Sequence, residues 1–305
     1  MILEFDNSVL NDVNNADLAR AVGMIYDRGH KIEKNPTFRQ YLVENIINRS
    51  YFGATKIDKI RSSIATRNIT DFERSCYQTI KVGKGQGMVG LSDLLVVLSC
   101  ANYLVLENAN YDFCVIRRWV DYFKNDITFQ DVNSSVLAAL DNGNILPYNA
   151  GGGNGTIVNA MKVLVPVCGR YPQYKLMTIY DSDKTSTTDA TDHNHALHEY
   201  LHNTGITGYE LHKREIENYF TCDAFDEAGF ALADYTLIGM AADDLDYADM
   251  EHSVNGYKKK YMPRLCQYMQ KGRLVQRVNH HLVAHPEFGD ITEIQSIILL
   301  MAKLI

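Results

Sequence analysis

The chain has 305 residues, 46% of them apolar and 22% charged, with a formal net charge of −7. That composition is ordinary for a globular protein, and the length is ample for a hydrophobic core without disulfide staples. No run approaches the roughly 20 apolar residues of a membrane span. The opening Met1-Ile-Leu-Glu-Phe-Asp-Asn-Ser8 lacks the basic-then-apolar order of a secretory leader, so the expected compartment is the cytoplasm, with no membrane partner.

Six cysteines (Cys76, Cys100, Cys114, Cys168, Cys222, Cys266) form no CxxC pair, which favours buried free thiols over a zinc ribbon or a disulfide framework. Charge is uneven along the chain. Residues 1–100 carry 13 basic and 11 acidic side chains, residues 101–250 carry 9 and 22, and residues 251–305 carry 8 and 4. An acidic middle between basic flanks suits a protein that gathers cations centrally and holds phosphates at its margins. A solvated acidic surface has the same composition.

Residues 1–98 read as a mainly helical N-terminal region, with apolar residues at helical spacing in Leu18, Ala21, Val22 and Ile25 and again in Leu42, Ile46 and Ile47. Lys81-Val-Gly-Lys-Gly-Gln-Gly87 is a Gly-rich turn without the GK[ST] of a phosphate loop, so it reads as a loop before a helix at Leu91–Ser99. A core over residues 99–222 then alternates strand and helix. Tyr103–Glu107 is a short apolar strand ending in a carboxylate, followed by a helix at Phe113–Tyr122. The strand Asn144–Ala150 runs into Gly151–Gly155 and a helix at Thr156–Val165. The strand Tyr174–Tyr180 ends at Asp181-Ser-Asp183 and precedes a polar, His-rich helix at Thr191–Asn203. The strand Tyr209–His212 ends at Lys213-Arg-Glu-Ile-Glu-Asn-Tyr219. This alternation predicts an α/β fold with a parallel four-stranded sheet flanked by helices. In such sheets ligands bind beyond the carboxyl ends of the strands, where Glu107, the glycine loop, Asp181, Asp183 and the 213–219 segment all fall. Residues 223–305 read as a helical, basic C-terminal region.

Asp181 and Asp183 are two apart after a strand, so an extended chain faces both carboxylates one way, toward one hard cation such as Mg²⁺ or Mn²⁺. A solvated turn is the plainer explanation of such a pair on its own. Glu107 ends the most apolar strand and needs a metal or a donor to offset desolvation. Asp112 is a second candidate ligand or a helix-start residue. Glu215 and Glu217 share a face in an extended chain. Glu217 is the preferred further ligand, with Lys213 orienting a phosphate; a surface ion-pair patch is the alternative. His195, His198 and His202 share a helical face beside His193, but no fourth zinc ligand stands at a convincing spacing, which favours an exposed polar face. The acidic run Asp243–Glu251 reads as a helix surface or first-turn dipole complement. The basic stretch Lys258, Lys259, Lys260, Arg264, Lys271, Arg273 and Arg277, with Tyr257, Tyr261 and Tyr268 between, suits a nucleic-acid backbone and stacked bases, or a solvated helix face.

The ordered set Leu104-Val-Leu-Glu107, Asn149-Ala-Gly-Gly-Gly153, Tyr180-Asp-Ser-Asp183 and Lys213-Arg-Glu-Ile-Glu-Asn-Tyr219 resembles a TOPRIM domain, of the nuclease type found in OLD-family proteins and in stand-alone TOPRIM effectors of bacterial anti-phage systems. The resemblance covers roughly residues 100–220. It implies four parallel strands flanked by helices, Glu107 as metal ligand or general acid/base, and Asp181 and Asp183 as metal ligands. The sequence departs from the pattern at Asn108, where a small residue is usual, and at Tyr111, where an acidic residue is common and Asp112 stands one place later.

The expected chemistry is Mg²⁺- or Mn²⁺-dependent phosphodiester hydrolysis of DNA or RNA, tRNA included. One or two ions would be held by Glu107, Asp181 and Asp183, with Asp112 or Glu217 as a further ligand, and Lys213 or one of Lys258, Lys259 and Lys260 would neutralise the phosphate. No ATPase signature is present, which leaves that role to a separate ATPase or sensor subunit; a homo-oligomer is also open. Two competing classes remain: a non-catalytic nucleic-acid- or partner-binding subunit on the same scaffold, and another Mg²⁺-dependent phosphoryl-transfer enzyme.

Overall fold

The computed structural model describes residues 1–33, 35–49, 51–66, 68–230, 232, 237–238, 240, 242–254, 258–270 and 281–305. The chain divides into two compact units. One comprises Met1–Asn102, Val165–Lys175 and Ala302–Ile305, the other Tyr103–Leu164 and Leu176–Met301.

The first unit runs β1 (Ile2–Phe5), α1 (Asn15–Asp27), β2 (Lys31–Ile32), α2 (Pro36–Asn45), α3 (Ala54–Thr66), α4 (Asp71–Cys76), β3 (Thr79–Val82) and α5 (Leu91–Ser99). Helix α1 starts where Asn14 accepts the Ala16 amide, and its Leu18, Ala21, Val22 and Ile25 are buried, as their spacing predicts. A reciprocal Thr70–Glu73 capping box opens α4. Besides the expected helices this region contains a three-stranded sheet, β2-β1-β3, parallel at both pairings. Strands of four and two residues are too short to show a period, so the helical spacing around them dominated the sequence pattern.

The second unit begins with β4 (Asn102–Leu106), α6 (Ala109–Phe123), α7 (Gln130–Asp141), β5 (Ile145–Asn149), α8 (Asn154–Cys168), β6 (Leu176–Tyr180), α9 (His195–Thr204) and β7 (Thr207–Glu210). It continues through α10 (Cys222–Glu227), α11 (Ala242–Leu245), α12 (Met250–Ser253), α13 (Lys258–Gln270), the hairpin β8 (Leu282–His285) and β9 (Gly289–Thr292), and α14 (Glu293–Ala302). The sheet order is β5-β4-β6-β7 and every strand is parallel, with Val105 opposite Thr178 and Tyr180 opposite Glu210. Central β6 is buried over its whole length, as an inner parallel strand covered on both faces must be.

Residues 223–305, expected to be helical, also carry the antiparallel β8–β9 hairpin, and up to Met301 they belong to the same compact unit as the four-stranded sheet. Asn133 of α7 and Gln295 of α14 exchange two side-chain hydrogen bonds, of 3.0 and 2.9 Å, in the interior. Each buried amide thereby satisfies the other.

The strand order carries the functional consequence. From β4 the chain moves outward to β5, then returns past β4 to place β6 on its other side. Progress reverses between β4 and β6, and a crevice opens beyond their carboxyl ends. Among the described residues no helix is long and apolar enough to cross a membrane.

Candidate functional site

Glu107 follows β4 directly. One of its carboxylate oxygens accepts the Gly153 amide at 2.7 Å, and its carbonyl accepts the Gly152 amide at 3.2 Å. The glycine loop makes this return possible. Gly151, Gly152 and Gly153 have φ of +91°, +106° and +69°, and the middle value lies outside the small left-handed well open to other residues.

Asp112, in the first turn of α6, is 8% exposed and accepts the Asn108 amide at 2.9 Å. It thus serves the helix start, where a negative charge complements the dipole, and still lines the crevice. Asp181 follows β6 and accepts the Ile216 amide at 2.9 Å. Asn194 ties the same region together, donating to the Asp181 carbonyl at 3.0 Å and the Glu210 carboxylate at 3.1 Å.

These three carboxylates, Glu107, Asp112 and Asp181, line one small crevice with Tyr180 and an apolar wall of Leu106, Ile116, Ile179, Leu211 and Ile216. Burial, followed by repulsion from Glu210 and Asp192, pushes the Tyr180 phenol well above its ordinary range. Hard carboxylate oxygens are the right donor type for Mg²⁺ or Mn²⁺. Among the described residues no group of three or more His, Cys, Asp or Glu side chains is arranged to hold a metal ion.

The other expected site residues lie elsewhere. Asp183 is exposed, does not line the crevice, and sits at φ +57° with its amide on the Arg214 carbonyl at 3.1 Å. The extended geometry that would face it alongside Asp181 is therefore broken at Asp183 itself, two residues after Asp181. Lys213 is fully buried. Its ammonium donates to Asp246 and lies 5.1 Å from the centre of the Tyr219 ring. Glu217 is also fully buried, in the 3₁₀ turn Ile216–Tyr219 rather than an extended segment, and neither Lys213 nor Glu217 lines the crevice.

Asp246 is the residue that sequence reasoning missed. The Asp243–Glu251 run reads as a helix surface, yet Asp246 is fully buried and takes Lys213 on one oxygen and His281 on the other at 2.7 Å. Glu293 was missed as well. It accepts the Tyr219 hydroxyl at 2.6 Å and the His212 amide at 2.8 Å, and this burial beside a carboxylate pushes the Tyr219 phenol far up. The one available signal was the presence of Lys213 and Tyr219 in an otherwise buried segment, since a buried ammonium or phenol requires a partner.

In the basic C-terminal region, Lys260 and Arg264 are exposed, and the Arg264 guanidinium lies 4.9 Å from the centre of the Phe230 ring. Tyr261 is fully buried against Phe225 and Phe230, so it does not present a face for base stacking. Lys258 and Lys259 belong to α13, but their side chains, like that of Tyr268, lie outside the described residues, as do Tyr257, Lys271, Arg273 and Arg277.

The histidines pair with neighbouring carboxylates: His193 with Asp189 at 2.9 Å, and His195 and His198 with Asp192 at 3.3 and 2.9 Å. The His193 ring, followed by the Thr185 and Thr191 amides, holds the Asp189 carboxyl far below the usual range. In the Lys81–Gly87 loop, Lys84 donates to the Asn11 carbonyl and lies 4.0 Å from Asp12. Comparison with protein-family models, with curated proteins and with solved structures finds no match to the chain.

Proposed function

We propose that this protein is a Mg²⁺- or Mn²⁺-dependent nuclease on a TOPRIM-like scaffold, hydrolysing phosphodiester bonds of DNA or RNA as a cytoplasmic effector of anti-phage defence. The observation that carries the reading is the gathering of Glu107, Asp112 and Asp181 from the ends of two adjacent parallel strands and one helix start into a single crevice at the switch point. The motif order Glu107, Asp181-Ser-Asp183 and Lys213–Tyr219 supports the same reading through its resemblance to TOPRIM nucleases.

Glu107, Asp112 and Asp181 would hold the metal. A bound ion would supply Lewis acidity, polarising the phosphate and making a nearby water easier to deprotonate. This chain's own contribution is to fix the ligands. Each carboxylate is oriented by one backbone amide, from Gly153, Asn108 and Ile216 respectively. A hydrogen bond of that kind is charge-assisted and removes rotamer freedom. Exposed Lys260 and Arg264 would attract a polyanionic backbone. The ATP-dependent or sensing step of such a defence system would fall to a separate subunit.

The test is a cleavage assay on mixed DNA and RNA with Mg²⁺ or Mn²⁺, comparing wild type with Asp181→Ala/Asp183→Ala. Cleavage that disappears in the variant and in EDTA supports the reading, and the substrate cut separates DNA from RNA. Cleavage indifferent to both overturns it.

A further inference from the structure

The segment after β7 is held from two sides. Toward β6, the Ser182 hydroxyl donates to the Lys213 carbonyl at 2.9 Å, the Asp183 amide to the Arg214 carbonyl at 3.1 Å, and the Ile216 amide to Asp181 at 2.9 Å. On the far side, the Arg214 amide donates to the Asp246 carbonyl at 2.9 Å and the Arg214 guanidinium to Asp249 at 3.0 Å. Asn218 adds bonds to the Leu245 and Ala248 carbonyls at 2.8 and 2.9 Å. At the centre, Lys213 and Asp246 are both fully buried, and His281 closes on the second Asp246 oxygen at 2.7 Å.

A surface turn needs none of this. Two charges withdrawn from water are tolerated only when paired and hydrogen-bonded, and removing one of them strands the other. The pair therefore has one arrangement with low energy, and that arrangement fixes where the 213–216 backbone lies. The Ile216 amide at the end of that stretch is the group that orients Asp181.

We propose that Asp246 is a positioning residue for the acidic crevice, acting through Lys213, His281 and its own carbonyl to hold the Ile216 amide against Asp181. The proposal rests on the metal-site reading of that crevice. It assigns a role in the site to the 245–249 turn, which contributes no residue to the crevice lining.

The experiment compares wild type with Asp246→Asn, and with Lys213→Met/Asp246→Leu, which removes both charges together and protects against simple misfolding. Two quantities are read on the full chain: Mn²⁺ affinity by electron paramagnetic resonance, and amide hydrogen exchange in peptides covering residues 181–184, 213–218 and 103–106. The expected result is Mn²⁺ affinity weakened about tenfold or more, the range for residues behind a metal ligand. Exchange is expected to quicken in 181–184 and 213–218 while 103–106 stays protected. Unchanged exchange in 213–218 in both variants overturns the proposal. So does quickened exchange with unchanged Mn²⁺ affinity, which would leave Asp246 structural only. A wild type that binds no Mn²⁺ overturns the metal reading together with the proposal that rests on it, whereas unchanged exchange in 213–218 overturns the proposal alone.

Discussion

Both units contain a parallel sheet whose strand order reverses next to its first strand, yet the two reversals have opposite fates. In the first unit the reversal lies between β1 and β3. There a Cβ on Gly83 would stand 2.6 Å from the Met88 sulfur, 3.0 Å from the Ser8 hydroxyl and 3.1 Å from Asp6 Cβ. Asp6 accepts the Ser8 amide, Ser8 accepts the Lys84 amide, and the Gly83 amide reaches the Val89 carbonyl. The edge is closed by its own loop. In the second unit the reversal lies between β4 and β6 and opens into the crevice of Glu107, Asp112 and Asp181. Topology allows a site at such a point; the loops that follow the strands decide whether one exists. A Met and a Ser fold back to fill the first, whereas three glycines carry the chain around the second.

The comparison breaks most sharply at Glu107. Glu107→Gln keeps an acceptor for the Gly153 amide but removes the charge. Cleavage is expected to fall by about three orders of magnitude, equivalent to about 4 kcal/mol of lost transition-state stabilisation, with the thermal midpoint unmoved. Single-turnover rates measure it, and a rate within a few-fold of wild type would count against the crevice as the reacting site.

Gly152→Ala tests whether the open loop depends on its backbone. At φ +106° the substitution is expected to cost about 2 kcal/mol and to weaken activity by loosening the Gly153 amide from Glu107. Chemical denaturation and the cleavage rate read the two effects together. Gly83→Ala is the matching change at the closed edge. It forces Met88 and Ser8 apart at a cost of about 1 kcal/mol and is expected to leave cleavage unchanged.

The smallest effect lies in how the units hold a buried lysine. In the second unit Lys213 meets a carboxylate, but in the first Lys175 donates to the neutral Asn102 amide, at 3.0 Å. Burial, then repulsion from Arg28, lowers the Lys175 ammonium from 10.5 to about 8, while burial, then Cys100, raises the Cys168 thiol from 9.0 to about 11. Above about pH 8 the unfolded chain holds the lysine proton that the folded chain has released, so stability climbs with pH. Above pH 9 the unfolded chain loses the Cys168 proton that the folded chain keeps, and that contribution falls. The first unit should gain at most about 1 kcal/mol per pH unit between pH 8 and 9. Hydrogen exchange of its peptides across that range measures the slope, and Lys175→Met should flatten it.

Much of the second unit was legible in advance because its inner strands β4 and β6 are largely buried and read as mainly apolar runs. Glu107, Asp112 and Asp181 were legible as a group because they follow strand ends or open a helix, and strand ends converge in a parallel sheet. Asp183, Lys213 and Glu217 were not placed correctly by the same reasoning. It assumed an extended chain with a period of two, whereas the backbone turns left-handed at Asp183 and coils into a 3₁₀ turn at Ile216. The sheet of the first unit was invisible because β2 contributes two residues, whose pairing with β1 is specified by contacts across some thirty positions of chain. Asp246 and Glu293 were invisible for the same reason. A carboxylate in an acidic run or at a helix start has a local explanation, and only the distant Lys213 and Tyr219 give it a buried one.

The division of the chain has a consequence for how the molecule is made. The first unit is not one contiguous stretch, since it draws on residues 165–175 and on the final four, of which Ala302 and Leu304 are buried. A ribosome delivers these pieces long after the first hundred residues have emerged. Residues 1–102 must therefore wait, incompletely packed, for residues 165–175 and 302–305. Damage at residues 302–305 will accordingly be felt in the packing of residues 1–102.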